Sequence, residues 1–378
     1  MRRTVIVVGA GIAGLAAARA LSQAGFRAIV LEREAAPTGE GAGLQLSPNA
    51  CHVLSALGAL RTVATAAFAP HAARLRRARD GRTLSTFQFG ETIRERHGAP
   101  YLVVERAILR NALLGVCEAD RDVDVRFGEG LSDTAVHSNG TTVLTDGGRE
   151  IVASGLVGAD GVHSTVRSLV PGALAAETSG WTAWRATAPL GVRAHEVCAW
   201  LGASAHLVHY PMPLAERLNM VLVARDGVEP HEDERLVGWS DETRRLVNEG
   251  EGWAPWSIRT VPAESEWRHR SIVLIGDAAH AMPPYAAQGA AMALEDAISL
   301  AHAAQAVQDD LPQAWSSYEQ FRRPRIDTVR EVTLQNRRIY HMRRPASLAR
   351  DLTMRLAPQV VLQRRMDPIY GWTLDRSR

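Results

Sequence analysis

The chain contains no lysine: all 43 of its basic residues are arginine. That absence removes whole chemistries, because a P-loop needs its lysine on the phosphates and a pyridoxal phosphate or Schiff-base enzyme needs a lysine amine. Cysteine is scarce as well. Cys51, Cys117 and Cys198 are widely spaced with no CxxC pair, which argues against a disulfide framework or a cysteine-bound zinc and reads as a reducing, cytoplasmic compartment. No uninterrupted run of about 18 apolar residues free of glycine and charge occurs, so no membrane span is expected. Neither sign of charge dominates: 43 cations against 41 acids leave +2 on 378 residues, which does not favour a nucleic-acid-binding domain. What is present is ordinary for a globular chain, with 46% apolar and 22% charged residues. At about 150 residues per domain the length gives two to three domains' worth of core.

Met1-Arg2-Arg3, an apolar run and Ala16-Ala17-Ala18-Arg19-Ala20 imitate a signal peptide, but the same residues fit a nucleotide fingerprint better. Thr4-Val5-Ile6-Val7-Val8 has the pattern of a buried parallel strand, and Gly9-Ala10-Gly11-Ile12-Ala13-Gly14 follows at once, opening an alanine-rich helix that stops at Gly25. Gly9 makes the tight turn, Gly11 lets a pyrophosphate approach the backbone, and Gly14 lets the helix pack on the strand. The helix start offers N–H groups and a positive dipole end to the phosphates. A second strand, Ala28-Ile29-Val30-Leu31, delivers Glu32, 18 residues after Gly14 and placed to accept from a ribose hydroxyl. The frame specifies a dinucleotide without distinguishing a flavin from a nicotinamide one.

Further along, Asn49 to Leu57 reads as a short helix, residues 72 to 89 as a hairpin, and Arg106 to Ala119 as a helix. Residues 123 to 157 alternate like an antiparallel meander of three or four strands, with turn signals at Asn139-Gly140 and Gly147-Gly148, and close on Gly158-Ala159-Asp160-Gly161. Seven of the nine tryptophans lie between Trp181 and Trp267, in a β-rich stretch with strand-like runs at Trp181 to Ala188, Val197 to Tyr210 and Asn219 to Ala224. A third nucleotide-type turn, Gly276-Asp277, follows the strand Ser271 to Ile275. Helices are expected over Gln288 to Ala303, 312 to 341 with a kink at Pro324, and Ala346 to Arg365. The arginines of the long helix, from Arg322 to Arg344, read as a solvated face.

Three separated signals, Gly9-x-Gly11-x-x-Gly14, Gly158-Ala159-Asp160-Gly161 with Ser164 and Arg167, and Gly276-Asp277 leading to Pro283 and Gln288-Gly289, together resemble the single-component, class A FAD-dependent aromatic hydroxylases. The branch most similar is that of the salicylate, 6-hydroxynicotinate and 3-hydroxybenzoate hydroxylases, through Gly41-Ala42-Gly43-Leu44-Gln45-Leu46-Ser47-Pro48-Asn49, Ala183-Trp184-Arg185-Ala186-Thr187, His206-x-x-His209-Tyr210-Pro211, Ala287-Gln288-Gly289-Ala290 and Tyr370-Gly371-Trp372. The resemblance implies an α/β fold of the p-hydroxybenzoate-hydroxylase type. Its parts would be a discontinuous FAD-binding Rossmann-like domain over 1–70, 98–175 and 268–340, a β-rich α+β substrate domain over 71–97 and 176–267, and a C-terminal helical tail over 341–378. It also implies bound FAD, with NADH or NADPH visiting transiently, and hydroxylation of a small hydroxylated aromatic or heteroaromatic acid through a flavin C4a-hydroperoxide. Decarboxylation would accompany hydroxylation where the attacked carbon bears the carboxylate. No HExxH, CxxC or haem motif is present to activate oxygen, which agrees with an organic cofactor.

By position, the resemblance places Glu32 and Arg33 on the adenosine, Leu131 near the adenine, and Arg106 and Asp277 on the ribityl-pyrophosphate stretch. Asp160 would stand beside the pyrophosphate, and Gly43, Leu44, Gly276, Gly289 and Ala290 would line the cofactor. The helix beginning near Gly289 would point its positive end at the flavin N1–C2=O edge, and no acidic residue occupies its first turn to spoil the sign. His206 and Tyr210, four residues apart on a strand, share a face and can line one pocket, whereas His209 points to the other. The branch makes the first a base for the phenolic proton and the second a hydrogen-bond partner of the substrate oxygen, with Gln288 and Pro283 beside the reacting ring. A packed histidine and a half-buried tyrosine remain the alternative. Arg185 could bind a substrate carboxylate or close a domain interface. Within the resemblance, the acceptor could instead be a larger natural-product scaffold, a purine such as urate, or an olefin to be epoxidised; a non-oxygenating or reductase-only flavoprotein and a pure NAD-dependent dehydrogenase are the rivals outside it. The expected partners are the aromatic substrate, oxygen and NAD(P)H, without nucleic acid, stable membrane association or metal, in a monomer or homodimer.

Overall fold

The strand Thr4–Val8 is buried from Val5 onward, as a continuous Val/Ile string demands when both faces of a parallel sheet are covered. In the computed structural model, which describes residues 3–37, 43–137, 140–191, 195–230, 236 and 238–374, this strand pairs parallel with Arg27–Glu32 and with Gly155–Gly158. Val123–Phe127 and Ile272–Leu274 extend the sheet on either side, also parallel, and the short Arg268–His269 ends it antiparallel. Gly41, Ala42 and Asn139, which belong to the glycine-rich loop and one expected turn, lie outside the described residues. The helices Ile12–Gln23 and Gly289–Ala306 pack into the same core, where alanines such as Ala16, Ala17, Ala297 and Ala301 leave little bulk between them.

A second, seven-stranded sheet runs in the order Glu251–Thr260, Glu177–Pro189, Arg217–Arg225, Ala205–Met212, Glu196–Leu201, Ala72–Arg77, Thr83–Gln88. Its pairings are antiparallel except between Glu196–Leu201 and Ala72–Arg77. Within Ala205–Met212, Ala205 and Leu207 face a core built around Trp200 and Trp239, while Tyr210 faces Tyr101 and Tyr370. Gly43–Leu46 and Leu102–Glu105, distant in sequence, pair antiparallel as a separate two-stranded sheet. No helix among the described residues is long and apolar enough to cross a membrane.

Several expectations need correction. Of the stretch 123 to 157, only Leu131–His137, Gly140–Thr145 and Glu150–Ala153 form the antiparallel meander; Val123–Phe127 and Gly155–Gly158 join the parallel sheet. Val123–Phe127 alternates because it is an edge strand, half covered. Val197 to Tyr210 is two strands, not one, and Glu251–Thr260 went unread because Gly252 and Pro255 break its alternation. The expected long helix is present as Leu311–Tyr340, with Pro324 inside it. The C-terminal helix divides into Ala346–Leu356, Gln359–Arg364 and Asp367–Tyr370, each later piece beginning beside a proline.

The arginines of the long helix are not all solvated, either. Arg322 has no exposed surface and donates to Glu295 at 2.7 Å and Asp296 at 2.8 Å; Arg325 reaches Glu295 at 2.8 Å. Burial alone would raise the Asp296 carboxyl, yet His280 and Arg322, with the Gly276 N–H, bring it down to about 2. Breaking such a pair leaves uncompensated charge in the core, so Arg322→Leu is expected to lower the free energy of unfolding by about 3 to 5 kcal/mol, read from urea titration. A loss below about 1 kcal/mol would show that the carboxylates are satisfied without it.

Candidate active site

Gly9 turns at φ +104°, and a Cβ there would lie 2.7 Å from the Ala159 carbonyl oxygen. At Gly14 it would lie 1.8 Å from the Gly9 carbonyl oxygen, so helix and strand touch backbone to backbone. Gly11 differs, since a Cβ there meets nothing within 4 Å. Its surface is free for a ligand. Glu32 accepts from the Ala10 N–H at 2.8 Å and the Glu34 N–H at 3.1 Å, which fixes the carboxylate at the rim of a cleft of about 170 Å³ lined by Ala10, Gly11, Ile12, Arg106 and Arg110. Open backbone at the helix start, an acid on the second strand and arginines opposite are the donor set a dinucleotide requires.

Three turns meet here. Asp160 lies against Gly9, 3.1 Å from the position of its added Cβ, and a Cβ on Gly276 would stand 3.2 Å from that of Ala13. The Asp160 carboxylate accepts from the Ser164 hydroxyl at 2.5 Å and from the Thr165 and Val166 N–H groups at 2.7 and 3.1 Å, so it braces its own turn. Gly276 donates its N–H to Asp296 at 2.8 Å, and His280 meets the same oxygen at 2.6 Å. Asp277 is exposed at the start of its short helix, Arg106 is exposed, and Leu131 opens its strand packed on the core. Arg33 points outward beside Glu34, at 3.6 Å.

Gly289 begins its helix with no acid in the first turn. Pro283, buried, precedes the turn Pro284–Ala286, Gly289 is exposed and Ala290 half-buried. The Gln288 amide, expected beside a reacting ring, donates to the Ser47 hydroxyl at 2.9 Å and accepts from Asn49 at 3.0 Å; Asn49 in turn donates to Glu295 at 2.7 Å. Gln288 thereby ties the segment after Leu44 to the helix. Gly43 donates to Asn219 at 2.9 Å, and a Cβ on Gly43 would lie 2.5 Å from the Tyr210 ring.

Register places the candidate pocket residues on one sheet face. Tyr210 pairs with Asn219 and Asn219 with Thr187; Val208 with Val221 and Val221 with Arg185; His206 with Val223 and Val223 with Ala183. Facing partners share a side, so Arg185, His206, Tyr210 and Asn219 all point one way, and His209 points the other, toward Trp200. Burial raises the Tyr210 hydroxyl, Arg185 and Asn219 lower it only partly, and it stays a donor at neutral pH. Arg185 is half-buried; among the described residues it makes no hydrogen bond or ion pair and lies 5.1 Å over the Trp256 ring. Its charge is disfavoured by burial and by Arg106, with Tyr210 acting in the opposite direction. His206 is buried, its ring 5.3 Å from that of Tyr285 and 5.2 Å from that of Tyr340, and its Nδ1 lies 3.2 Å from Nε2 of His341. Burial, then His341, holds it well below the usual imidazole value.

Asn49, Asn219, Glu295, Asp296 and His341 were not read as site residues. Asn219 carried a signal, a lone polar residue between Leu218 and Met220 on a strand; His341 carried none. Among the described residues no group of three or more His, Cys, Asp or Glu is placed to hold a metal.

Residues 2–333 match the FAD binding domain family. The 3-hydroxybenzoate 6-hydroxylase of Polaromonas naphthalenivorans strain CJ2 is 32% identical, covering 98% of this chain and 96% of that one. The 3-amino-4-hydroxybenzoate 2-monooxygenase PtnB3 of Streptomyces platensis is 31% identical over 90% and 89%. Klebsiella pneumoniae HpxO, solved with FAD and uric acid, superposes with a TM-score of 0.84 at 23% identity, over 98% of each chain, and shares the fold.

The glycines separate folding from ligand binding. Gly14→Ala is expected to lower the melting temperature of the FAD-stripped protein, because its Cβ meets backbone. Gly11→Ala is expected to leave that temperature unchanged while weakening FAD retention tenfold or more, about 1.4 kcal/mol, measured by flavin titration. Equal melting losses in both variants would contradict the division.

Proposed function

Because the chain belongs to the FAD binding domain family, we propose that it is an NAD(P)H-consuming, FAD-dependent monooxygenase that hydroxylates a small aromatic or heteroaromatic ring bearing both a hydroxyl and a carboxylate. The observation that carries the acid is Arg185. A half-buried guanidinium without an anion is unfavourable, whereas a bidentate carboxylate satisfies its planar fork and restores the balance of charge. Two strand spacings, roughly 10 Å, separate Arg185 from the strand of His206 and Tyr210, a span that one aromatic ring with its substituents bridges.

Glu32, the Gly9 to Gly14 turn, Arg106, Asp160 and Gly276 would hold FAD, which when bound and reduced supplies activated oxygen beside the helix start at Gly289. The chain's own groups prepare the ring. His206, neutral through its burial, accepts the phenolic proton, which makes the ring electron-rich; the phenolate then stands beside the new imidazolium and offsets its burial. Tyr210 donates to the same oxygen. Pro283 and Tyr285 wall the pocket, and Gln288 keeps the Ser47–Asn49 segment against the helix start.

The test is NADH and NADPH oxidation against hydroxybenzoates, hydroxypyridine carboxylates and urate, with product masses. Uptake of one oxygen atom by an acid is expected; turnover of urate alone, or reductant consumption without any oxygenated product, would overturn the reading. Arg185→Met is expected to raise KM for the acid about 10- to 100-fold with a smaller change in kcat, matching a charged hydrogen bond of about 1.5 to 3 kcal/mol. It should leave the KM of the corresponding hydroxybenzamide nearly unchanged, and equal losses on both would remove Arg185 from the carboxylate. Since a depressed histidine value keeps the base deprotonated as the pH is lowered, the acid limb of kcat/KM is expected below the ordinary imidazole value of about 6.5. A midpoint at or above about 6.5 in that profile would show that His206 is not the base.

A further inference from the structure

His206 and His341 form a hydrogen-bonded pair whose direction can be deduced. His341 caps the long helix Leu311–Tyr340, and its Nδ1 lies 3.1 Å from the Gly202 carbonyl oxygen. A carbonyl only accepts, so Nδ1 of His341 carries the proton. The second nitrogen of a neutral imidazole is then a bare lone pair, and this is the Nε2 that faces His206 Nδ1 at 3.2 Å. The His206 Nδ1 must donate across that gap, which leaves Nε2 of His206 unprotonated. Among the described residues Nε2 of His206 has no hydrogen-bond partner, and the neighbouring Tyr285 hydroxyl is buried and likewise unpartnered. Two polar atoms without partners beside the rings of Tyr285 and Tyr340 are the lining that a hydroxyl-bearing ligand would satisfy.

The deduction requires both rings to be neutral. Burial and the cations Arg337, Arg225 and Arg350 press His341 down to about 4, against the opposing effect of its bond to Gly202. His206 is faced by Tyr285, Tyr340 and His341, none of them anionic.

We propose that His341 is a positioning residue which, anchored on the Gly202 carbonyl, fixes the tautomer of His206 so that Nε2 is the atom that takes the substrate's phenolic proton. In that transfer the substrate O–H bond breaks and an N–H bond forms on Nε2. Nδ1–H stays on the His341 lone pair and stabilises the imidazolium. The role rests on the reading of His206 as the base; the tautomer does not, and can be measured without turnover.

The experiment is a long-range proton–nitrogen correlation spectrum of ¹⁵N-histidine-labelled holoenzyme, with His206 identified by the peaks lost in His206→Asn. The expected pattern is a protonated Nδ1 and a bare Nε2. His341→Gln, whose amide can donate to Gly202 and accept from His206, should preserve it; His341→Leu should convert His206 to the Nε2-protonated form or to a mixture. In kinetics, His341→Leu should reduce the fraction of NAD(P)H consumption that yields hydroxylated product about tenfold or more, within the range of a mis-set general base. KM and FAD content should hold, and His341→Gln should stay within about threefold of the parent. A proton on Nε2 of His206 in the parent protein, or an unchanged tautomer in His341→Leu, overturns the proposal. The expected tautomers in a parent protein that hydroxylates nothing would instead overturn the proposed function.

Discussion

The arrangement depends on one buried cluster of charge, Arg322 between Glu295 and Asp296. Two adjacent carboxylates on the helix Gly289–Ala306 are driven out of water by the packing of that helix, and only a cation supplied from the long C-terminal helix makes this tolerable. The carboxylates then distribute their remaining lone pairs. Asp296 holds the Gly276 N–H and His280, while Glu295 holds Asn49 and Arg325. Through Asn49 the network reaches Ser47 and Gln288. A nucleotide turn, the segment after Leu44 and the start of the helix that would face the flavin are thus referred to the same two side chains.

Two arginines, one fully buried and one half-buried, make the functional contrast. Arg322 has every charge answered within the protein and serves architecture; Arg185, on the sheet face shared with His206 and Tyr210, has an aromatic ring beside it and no acid. Retaining an unanswered, half-buried cation is unfavourable for folding alone, so its compensation is sought in a ligand. The same reasoning applies on a smaller scale to the Nε2 of His206 and the hydroxyl of Tyr285, which lack partners among the described residues where the pocket residues gather. Binding sites are where local rules of satisfaction are broken in a coordinated way.

Much of this was legible because short-range sequence carries it. The glycines at 9, 11 and 14 announce a strand, turn and helix through sterics that act within a few residues, and Glu32 follows at a distance set by one βαβ unit. Alternation told apart the faces of Ala205–Met212, so His206 and Tyr210 could be grouped and His209 set aside. Where the reading failed, the missing information was non-local. Arg322 looks like its neighbours in a run of arginines, and nothing near it indicates that two acids from another helix await it. Val123–Phe127 alternates like an antiparallel strand because half-coverage at a sheet edge produces that pattern whatever the direction of pairing.

The sequence by itself determined the dinucleotide frame, the βαβ opening, the β-rich second region and the identity of the family, since each is written in contiguous residues under local steric rules. Only the tertiary structure decided that Gln288 braces a loop, that Arg185 shares a face with His206, and that His341 meets His206 across 135 positions of chain. Those are pairings between distant segments, set by how two sheets and the long helix close on one another, and a side chain's partner cannot be read before that closure is known.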